Sequence, residues 1–134
     1  MKNVEHIGIA VKELEKAEKL FSKLFDTDPY KRETVTSEGV LTSFFQVNQT
    51  KIELLQSIDP DGVIARFIDK KGEGFHHVAF EVDNIVSEMA RLKKEGFTLL
   101  SETPKPGADN KLVCFLHPKS TNGMLIELCQ EIKS

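Results

Sequence analysis

Residues 4–11 have the sequence VEHIGIAV, and residues 75–82 have the sequence FHHVAFEV. In each stretch a histidine, His6 or His77, begins a mostly apolar run that ends in valine. Short apolar runs of this kind are typical of buried strands. Apolar residues at helical spacing follow each run, for example Ile85, Met89 and Leu92 in the second copy. The repetition predicts a chain built from two copies of one structural unit.

The two copies also end alike. Residues 52–56 are IELLQ and residues 126–130 are IELCQ, which places Glu53 and Glu127 at equivalent positions. Between the helix and this closing strand we expect two further strands in each copy, at positions 30–36, 41–47, 98–102 and 111–117. Turn residues separate the members of each pair, at 37–39 and 104–107. Each copy is therefore predicted to be a β-α-β-β-β module.

One module of this size cannot bury its sheet alone and leaves strand edges open. We therefore expect a single α+β domain over residues 1–134, in which two pseudo-symmetric modules form a curved eight-stranded sheet. Helices would cover its outer face, and its inner face would form a metal-binding cleft. The first module spans about 1–58, the connector about 59–72 and the second module about 73–134. Apolar residues in the connector predict a short amphipathic helix there.

Composition excludes several classes of function. The chain has 134 residues and a net charge of −3, and its lysines and arginines form no basic cluster, so nucleic acid is not an expected partner. No apolar run approaches the roughly 20 residues that span a bilayer, so a membrane is not expected either. Cys114 and Cys129 lack metal-ligand spacing and are expected to be reduced thiols, which favours a cytoplasmic protein.

Four residues at equivalent positions are candidate metal ligands: His6, Glu53, His77 and Glu127. A pseudo-twofold relation between the modules would bring them together as two pairs. Imidazole and carboxylate donors suit divalent Co, Mn, Ni, Fe or Zn. Taken singly, a histidine in a strand is more often structural, and a glutamate in a strand often faces solvent. The recurrence of both residue types at matched positions favours the metal site.

We expect the two other histidines and one cysteine near these positions to have structural roles. His76 precedes His77 and must point to the opposite face of its strand, because side chains alternate. His117 lies in a turn-like segment and is expected to be a loop residue. Cys129 shares the face of Glu127 and is interpreted as a small apolar filler.

Five stretches, spread over nearly the whole chain, resemble the sequences of a known superfamily. The matching stretches are HIGIAV, TKIELL, GEGFHHVAFEV, FLHPKS and LIEL, which begin at residues 6, 50, 72, 115 and 125. Together they resemble the vicinal oxygen chelate superfamily, and most closely its methylmalonyl-CoA epimerases. The first and last stretches alone would fit glyoxalase I or an extradiol dioxygenase. The stretches at 72–82 and 115–120 favour the epimerases.

The resemblance implies metal-dependent epimerisation of methylmalonyl-CoA at C2 by a homodimer. It implies metal ligation by His6, His77 and Glu127, with Glu53 in the fourth position, where some epimerases have glutamine. Cobalt is the first expected metal, with manganese, nickel or zinc as alternatives. Glu127 and Glu53 are the expected acid/base groups, since two carboxylates on opposite sides of C2 permit a two-base exchange.

The sequence departs from the epimerase pattern at Thr42. A relative has at this position a glutamate assigned as an acid/base group, and a threonine cannot abstract a proton from carbon. We therefore move that role to Glu53 and retain Thr42 as a substrate-binding candidate. Lys119 and Ser120 are candidates for binding the coenzyme A phosphates, with Lys105 and Lys111 as further ones.

Two alternative functions stay open at this point. Lactoylglutathione lyase (glyoxalase I) also combines a metal ion with carboxylate groups, and it isomerises a glutathione hemithioacetal. A non-catalytic ligand-binding protein of the same fold is the other alternative, and the retention of two histidines and two glutamates argues against it. A dioxygenase would need two histidines and one carboxylate, which leaves Glu53 redundant.

Overall fold

The structure, a computed structural model, describes residues 1–133. Its eight strands are β1 (Asn3–Ala10), β2 (Lys31–Val35), β3 (Val40–Val47), β4 (Thr50–Ser57), β5 (Gly74–Glu81), β6 (Lys105–Gly107), β7 (Lys111–Leu116) and β8 (Ile126–Glu131). Its α-helices are α1 (Leu14–Phe25), α2 (Val63–Lys71) and α3 (Ile85–Lys94). The element order is β-α-β-β-β, then α2, then β-α-β-β-β again. This order confirms the two predicted modules and the predicted helix in the connector.

The chain divides into two units by its contacts, and the first unit is His6–His76. Its strands are ordered β2-β3-β4-β1. β1 and β4 are parallel, whereas β3 is antiparallel to both β2 and β4. Helix α1 covers one face of this sheet, because its apolar stripe packs on β3 and β4 in a core of Val11, Leu14, Ala17, Phe45 and Leu54.

The second unit comprises Met1–Glu5 and the chain from His77 onward. Its strands are ordered β5-β8-β7-β6, with β5 and β8 parallel and the other two pairs antiparallel. The side chains of Ile85, Met89 and Leu92 recur on one side of α3 and are buried against β7 and β8. Asn84 caps this helix, since its side chain accepts a hydrogen bond from the Ser87 amide at 3.1 Å.

The predicted strand at 98–102 is wrong. Only Leu99 forms a bridge there, to Leu116, and the strand that pairs with β7 is Lys105–Gly107, which we had assigned to a turn. The prolines at 104 and 106 indicated a turn because proline lacks an amide donor. β6 ends the strand order of its unit, and an edge strand tolerates a proline whose missing donor would have faced away from the sheet.

Both cysteines agree with the expectation of reduced thiols, since Cys114 and Cys129 are free and buried. Within residues 1–133, no helix has both the length and the apolar character that crossing a bilayer requires.

Candidate metal centre

The first unit contains one buried histidine–glutamate pair. Nε2 of His6 lies 3.3 Å from Oε1 of Glu53, and both side chains are almost fully buried. The parallel register of β1 and β4 produces this contact, because Gly8 lies opposite Glu53 and shares the face of His6. A residue without a side chain at position 8 leaves room for the imidazole and the carboxylate to meet.

The second unit repeats the arrangement. Nε2 of His77 lies 3.1 Å from Oε1 of Glu127, again between almost fully buried side chains. Ala79 lies opposite Glu127 in the β5–β8 register, as Gly8 does opposite Glu53. A small residue two positions after each histidine is therefore part of how the pair is built. The sequence carried this signal, His-x-Gly in one copy and His-x-Ala in the other, but we did not use it.

A phenylalanine lies on the other side of each glutamate. Phe44 is opposite Glu53 in the β3–β4 register, and Phe115 is opposite Glu127 in the β7–β8 register. The Phe115 ring also meets the His77 ring edge to face, with centroids 5.7 Å apart. Each carboxylate thus has an apolar neighbour across the strand pair, which limits the water that can solvate it.

The burial of the four residues decides between two of the sequence interpretations. Glu53 and Glu127 are 3% and 5% exposed, so the alternative of solvent-facing glutamates is wrong. His6 and His77 are buried as well. A buried carboxylate requires a compensating charge or strong hydrogen bonds, and in each unit an imidazole nitrogen lies close enough to be such a partner, at 3.3 Å from Glu53 and 3.1 Å from Glu127.

The donor set within each pair fits a divalent metal. Two donors at about 2.1 Å from a common ion lie about 3.0 Å apart at an octahedral angle and about 3.4 Å apart at a tetrahedral angle. The nitrogen–oxygen distances of 3.3 Å and 3.1 Å fall in this interval. Nitrogen and carboxylate oxygen are also the donors that divalent Co, Mn, Ni and Zn accept.

His76 and His117 each make local contacts of the kind expected of structural residues. The His76 ring packs edge to face against Phe67 of α2, with centroids 4.8 Å apart. His117 begins a short 3₁₀ helix, and its Nδ1 accepts a hydrogen bond from the Lys119 amide at 3.0 Å. Both histidines therefore have structural contacts.

Thr42 shares a strand face with the first pair. It is opposite Leu55 in the β3–β4 register, so Glu53 is its diagonal neighbour on the same face. The residue is fully buried, and its hydroxyl donates a hydrogen bond to the Glu33 carbonyl at 3.3 Å. The hydroxyl is thereby fixed beside the first pair.

Lys119 and Ser120 lie on the 3₁₀ helix that follows β7. Lys119 is exposed. The Ser120 hydroxyl donates to the His117 carbonyl at 2.9 Å and accepts from the Thr98 amide at 3.3 Å. The serine therefore holds its loop in shape, while the lysine presents a charge to solvent.

Two glutamines that we did not predict tie each closing strand to a helix. Gln56 Oε1 accepts a hydrogen bond from the Leu14 amide at 2.6 Å, and Gln130 Oε1 accepts one from the Ile85 amide at 2.7 Å. Each contact satisfies the first amide of a helix, which has no partner inside that helix. The matching ends of IELLQ and IELCQ contained this signal.

Cys129 lies on the Glu127 face of the second unit, where it packs with Ala79 and Val113. Burial raises the pKa of its thiol, and the charges of Glu127 and Glu5 raise it further, whereas the Lys111 charge lowers it. The folded protein therefore keeps this thiol protonated, which agrees with its interpretation as a small apolar filler.

Residues 5–115 match the family described as the glyoxalase/bleomycin resistance protein/dioxygenase superfamily. The chain belongs to this superfamily. Human mitochondrial methylmalonyl-CoA epimerase is 40% identical to this chain, over 95% of this chain and 73% of its own length. The ethylmalonyl-CoA/methylmalonyl-CoA epimerase of Cereibacter sphaeroides is 38% identical, over 95% of this chain and 96% of its own.

Solved structures agree with these relatives. A methylmalonyl-CoA epimerase in complex with methylmalonyl-CoA and NH₄⁺ has a TM-score of 0.94 to this chain at 26% identity, over 98% of this chain and 95% of the other. The predicted superfamily fold and the resemblance to methylmalonyl-CoA epimerases are therefore confirmed.

Proposed function

We propose that the protein epimerises methylmalonyl-CoA at C2 by removing and returning a proton. The observation that carries this proposal is the buried histidine–glutamate pair, which occurs once in each unit with nitrogen–oxygen distances of 3.3 Å and 3.1 Å. The similarity to methylmalonyl-CoA epimerases over 95% of the chain supports methylmalonyl-CoA as the substrate.

We further propose that the two pairs share one divalent ion, with His6, Glu53, His77 and Glu127 as ligands. The donor chemistry and the separation within each pair support this assignment, as does membership of the superfamily. Cobalt is the proposed metal, with manganese, nickel and zinc as alternatives. When bound, the ion would supply Lewis-acid stabilisation of the negative charge that develops on the thioester oxygen.

The two glutamates are the proposed acid/base groups. Removing the C2 proton from one face and returning one on the other face requires a group on each side. Glu127 and Glu53 come from different modules at equivalent positions, which is the relation that opposite sides would require. Phe44, which is buried, lies beside Glu53, and Phe115, which is partly buried, lies beside Glu127, so each carboxylate has an apolar neighbour that limits its solvation.

Glu53 carries this role because Thr42 occupies the position of the glutamate known from a relative. Thr42 has a hydroxyl that can donate a hydrogen bond but no group that can take a proton from carbon. Its place beside Glu53 on the strand face supports a role in substrate binding. For the coenzyme A phosphates we propose Lys119 and Ser120, since the lysine is exposed and the loop is held by hydrogen bonds.

We also propose that the chain forms a single domain and a cytoplasmic homodimer. The family resemblance supports the domain and the dimer. The two free thiols are in keeping with a reducing compartment. Glyoxalase I is the less favoured activity, because the relatives of named activity are epimerases of malonyl-type thioesters.

The test is to incubate the protein with one C2 epimer of methylmalonyl-CoA and separate the epimers over time. We expect conversion to an equilibrium mixture, loss of conversion after EDTA treatment, and recovery with Co²⁺. The same preparation is given the glutathione hemithioacetal of methylglyoxal in parallel. Efficient turnover of the hemithioacetal with no conversion of methylmalonyl-CoA would replace the epimerase assignment with glyoxalase I.

A further inference from the structure

The ring of the proposed ligand His77 has an aromatic neighbour to which the proposed mechanism gives no part in metal binding. Phe115, in β7, meets the imidazole edge to face, with ring centroids 5.7 Å apart and an angle of 85° between the ring planes. Phe115 also lies opposite Glu127, whose Oε1 is 3.1 Å from Nε2 of His77. One phenylalanine is therefore next to both members of the second pair.

The covalent geometry of histidine does not fix the plane of its ring. The torsion about the Cβ–Cγ bond has a broad, roughly two-fold preference, so a half-turn of the imidazole costs little torsional energy. That half-turn would exchange Nε2 with Cε1 and leave a carbon where the structure has a nitrogen facing Glu127. The orientation that a metal ligand needs must therefore come from neighbouring groups.

Phe115 is suited to supply part of this restraint. An edge-to-face aromatic pair is stabilised because the edge of one ring and the face of the other have opposite partial charges, so its energy depends on the angle between the rings. The backbone of Phe115 is fixed in the paired part of β7, and Val113 on the same strand face packs with Ala79 and Cys129. The phenylalanine therefore presents its ring to His77 from a rigid strand.

We propose that Phe115 is a positioning residue for the metal centre, and that it holds the His77 imidazole with Nε2 towards Glu127. This inference rests on the proposed function, in which His77 is a metal ligand. A ligand that is already oriented binds a metal more tightly, because its ring does not have to be ordered during binding. Phe115 has no donor atom for a metal, so its replacement should weaken the metal centre without removing a ligand.

The test removes the aromatic ring and keeps an apolar side chain. The Co²⁺ affinity of wild type and Phe115→Leu is measured by competition with a chelator, and the visible absorption spectrum of each Co²⁺-loaded protein is recorded. We expect Phe115→Leu to bind Co²⁺ about 2- to 10-fold more weakly, the range for loss of one aromatic pair. The spectrum should change as well, because it reports the arrangement of the ligands around the ion.

Two further variants separate ring orientation from general packing. Phe115→Tyr keeps the aromatic ring and should retain the wild-type affinity and spectrum. Phe97→Leu is the matched control, because Phe97 is partly buried in the same unit against a core that includes Leu116 and Leu128, on the other face of β7 and β8. This control should lower thermal stability and leave Co²⁺ affinity unchanged. If Phe115→Leu does not fold, Phe115→Met provides the same comparison.

Three results would each overturn the assignment of Phe115: an unchanged affinity and spectrum in Phe115→Leu, an equal loss of affinity in Phe97→Leu, or no recovery in Phe115→Tyr. The first would mean that other groups orient His77, and the second that affinity only follows the stability of the unit. Failure of the proposed function is distinguishable. A wild type that binds Co²⁺ and converts no methylmalonyl-CoA would refute the epimerase proposal alone, whereas a wild type that binds no Co²⁺ would overturn the metal centre together with the role of Phe115.

Discussion

Removing the glutamine side chain that caps α1 or α3 should destabilise the protein without touching the histidine–glutamate pairs. In Gln56→Ala the Leu14 amide loses its acceptor at 2.6 Å, and in Gln130→Ala the Ile85 amide loses its acceptor at 2.7 Å. Both Leu14 and Ile85 are 1% exposed, so water cannot readily replace the lost oxygen.

The expected size of the effect follows from the burial of these amides. Loss of a helix cap costs about 0.5–2 kcal/mol and an unsatisfied buried donor about 1–3 kcal/mol, so we expect about 1–2 kcal/mol for each variant. With about 2.1 cal/mol/K of unfolding entropy per residue, 134 residues give about 0.28 kcal/mol/K. The midpoint of thermal unfolding should therefore fall by about 4–7 °C.

The assay is thermal unfolding followed by circular dichroism at matched metal content. Gln46→Ala is the matched control, because Gln46 is exposed and its side-chain amide donates only to the nearby Asn48 carbonyl in a surface turn. If the three variants shift the midpoint equally, the two glutamines do not stabilise the helices, and the explanation of the matching IELLQ and IELCQ endings would be refuted.

Three other predictions concern the ligands, the proposed base and the thiols. His6→Ala and His77→Ala should each lower metal content and thermal stability together, because a metal that binds only the folded state stabilises that state. The control variant His76→Ala should keep its metal. Equal loss of metal in all three variants, measured by plasma emission, would contradict the ligand assignment. Glu53→Gln should retain metal, since an amide oxygen can replace the carboxylate oxygen, yet lose most epimerisation; full activity would place the second base elsewhere. Burial raises the pKa of the Cys129 thiol above the ordinary value of 9.0, so at high pH the unfolded chain binds fewer protons than the folded protein. The free energy of unfolding should therefore fall as the pH rises above 9.0. A free energy of unfolding that stays constant from pH 8 to 10, measured by urea denaturation, would argue against a buried thiol.

The modules could be predicted from the sequence because the repeat is carried by buried strands. The strands that contain His6 and His77 each bury a face under a helix, and this burial requires the apolar residues that follow each histidine in the sequence. The candidate ligands followed from the same repeat, since equivalent positions have equivalent orientations. Structural burial of Glu53 and Glu127 then removed the solvent-facing alternative.

The features that the sequence did not yield depend on register or on tertiary context. Strand β6 contains a proline that indicates a turn, and only its place at the end of the strand order makes a strand possible. The roles of Gly8 and Ala79 depend on which residue of the parallel neighbour lies opposite them. Lys111 resembles any surface lysine until the structure shows it buried.

Solvent deuterium exchange tests the central claim most directly. One C2 epimer of methylmalonyl-CoA is incubated in D₂O with the Co²⁺-loaded protein, and deuterium at C2 is followed by mass spectrometry as the other epimer forms. A proton returned by a carboxylate that exchanges with solvent must carry deuterium into the product. We predict incorporation in both epimers, with none after EDTA treatment and none in Glu127→Ala with its metal content restored. Undiminished exchange in metal-restored Glu127→Ala, or no exchange in the wild type, would contradict the account.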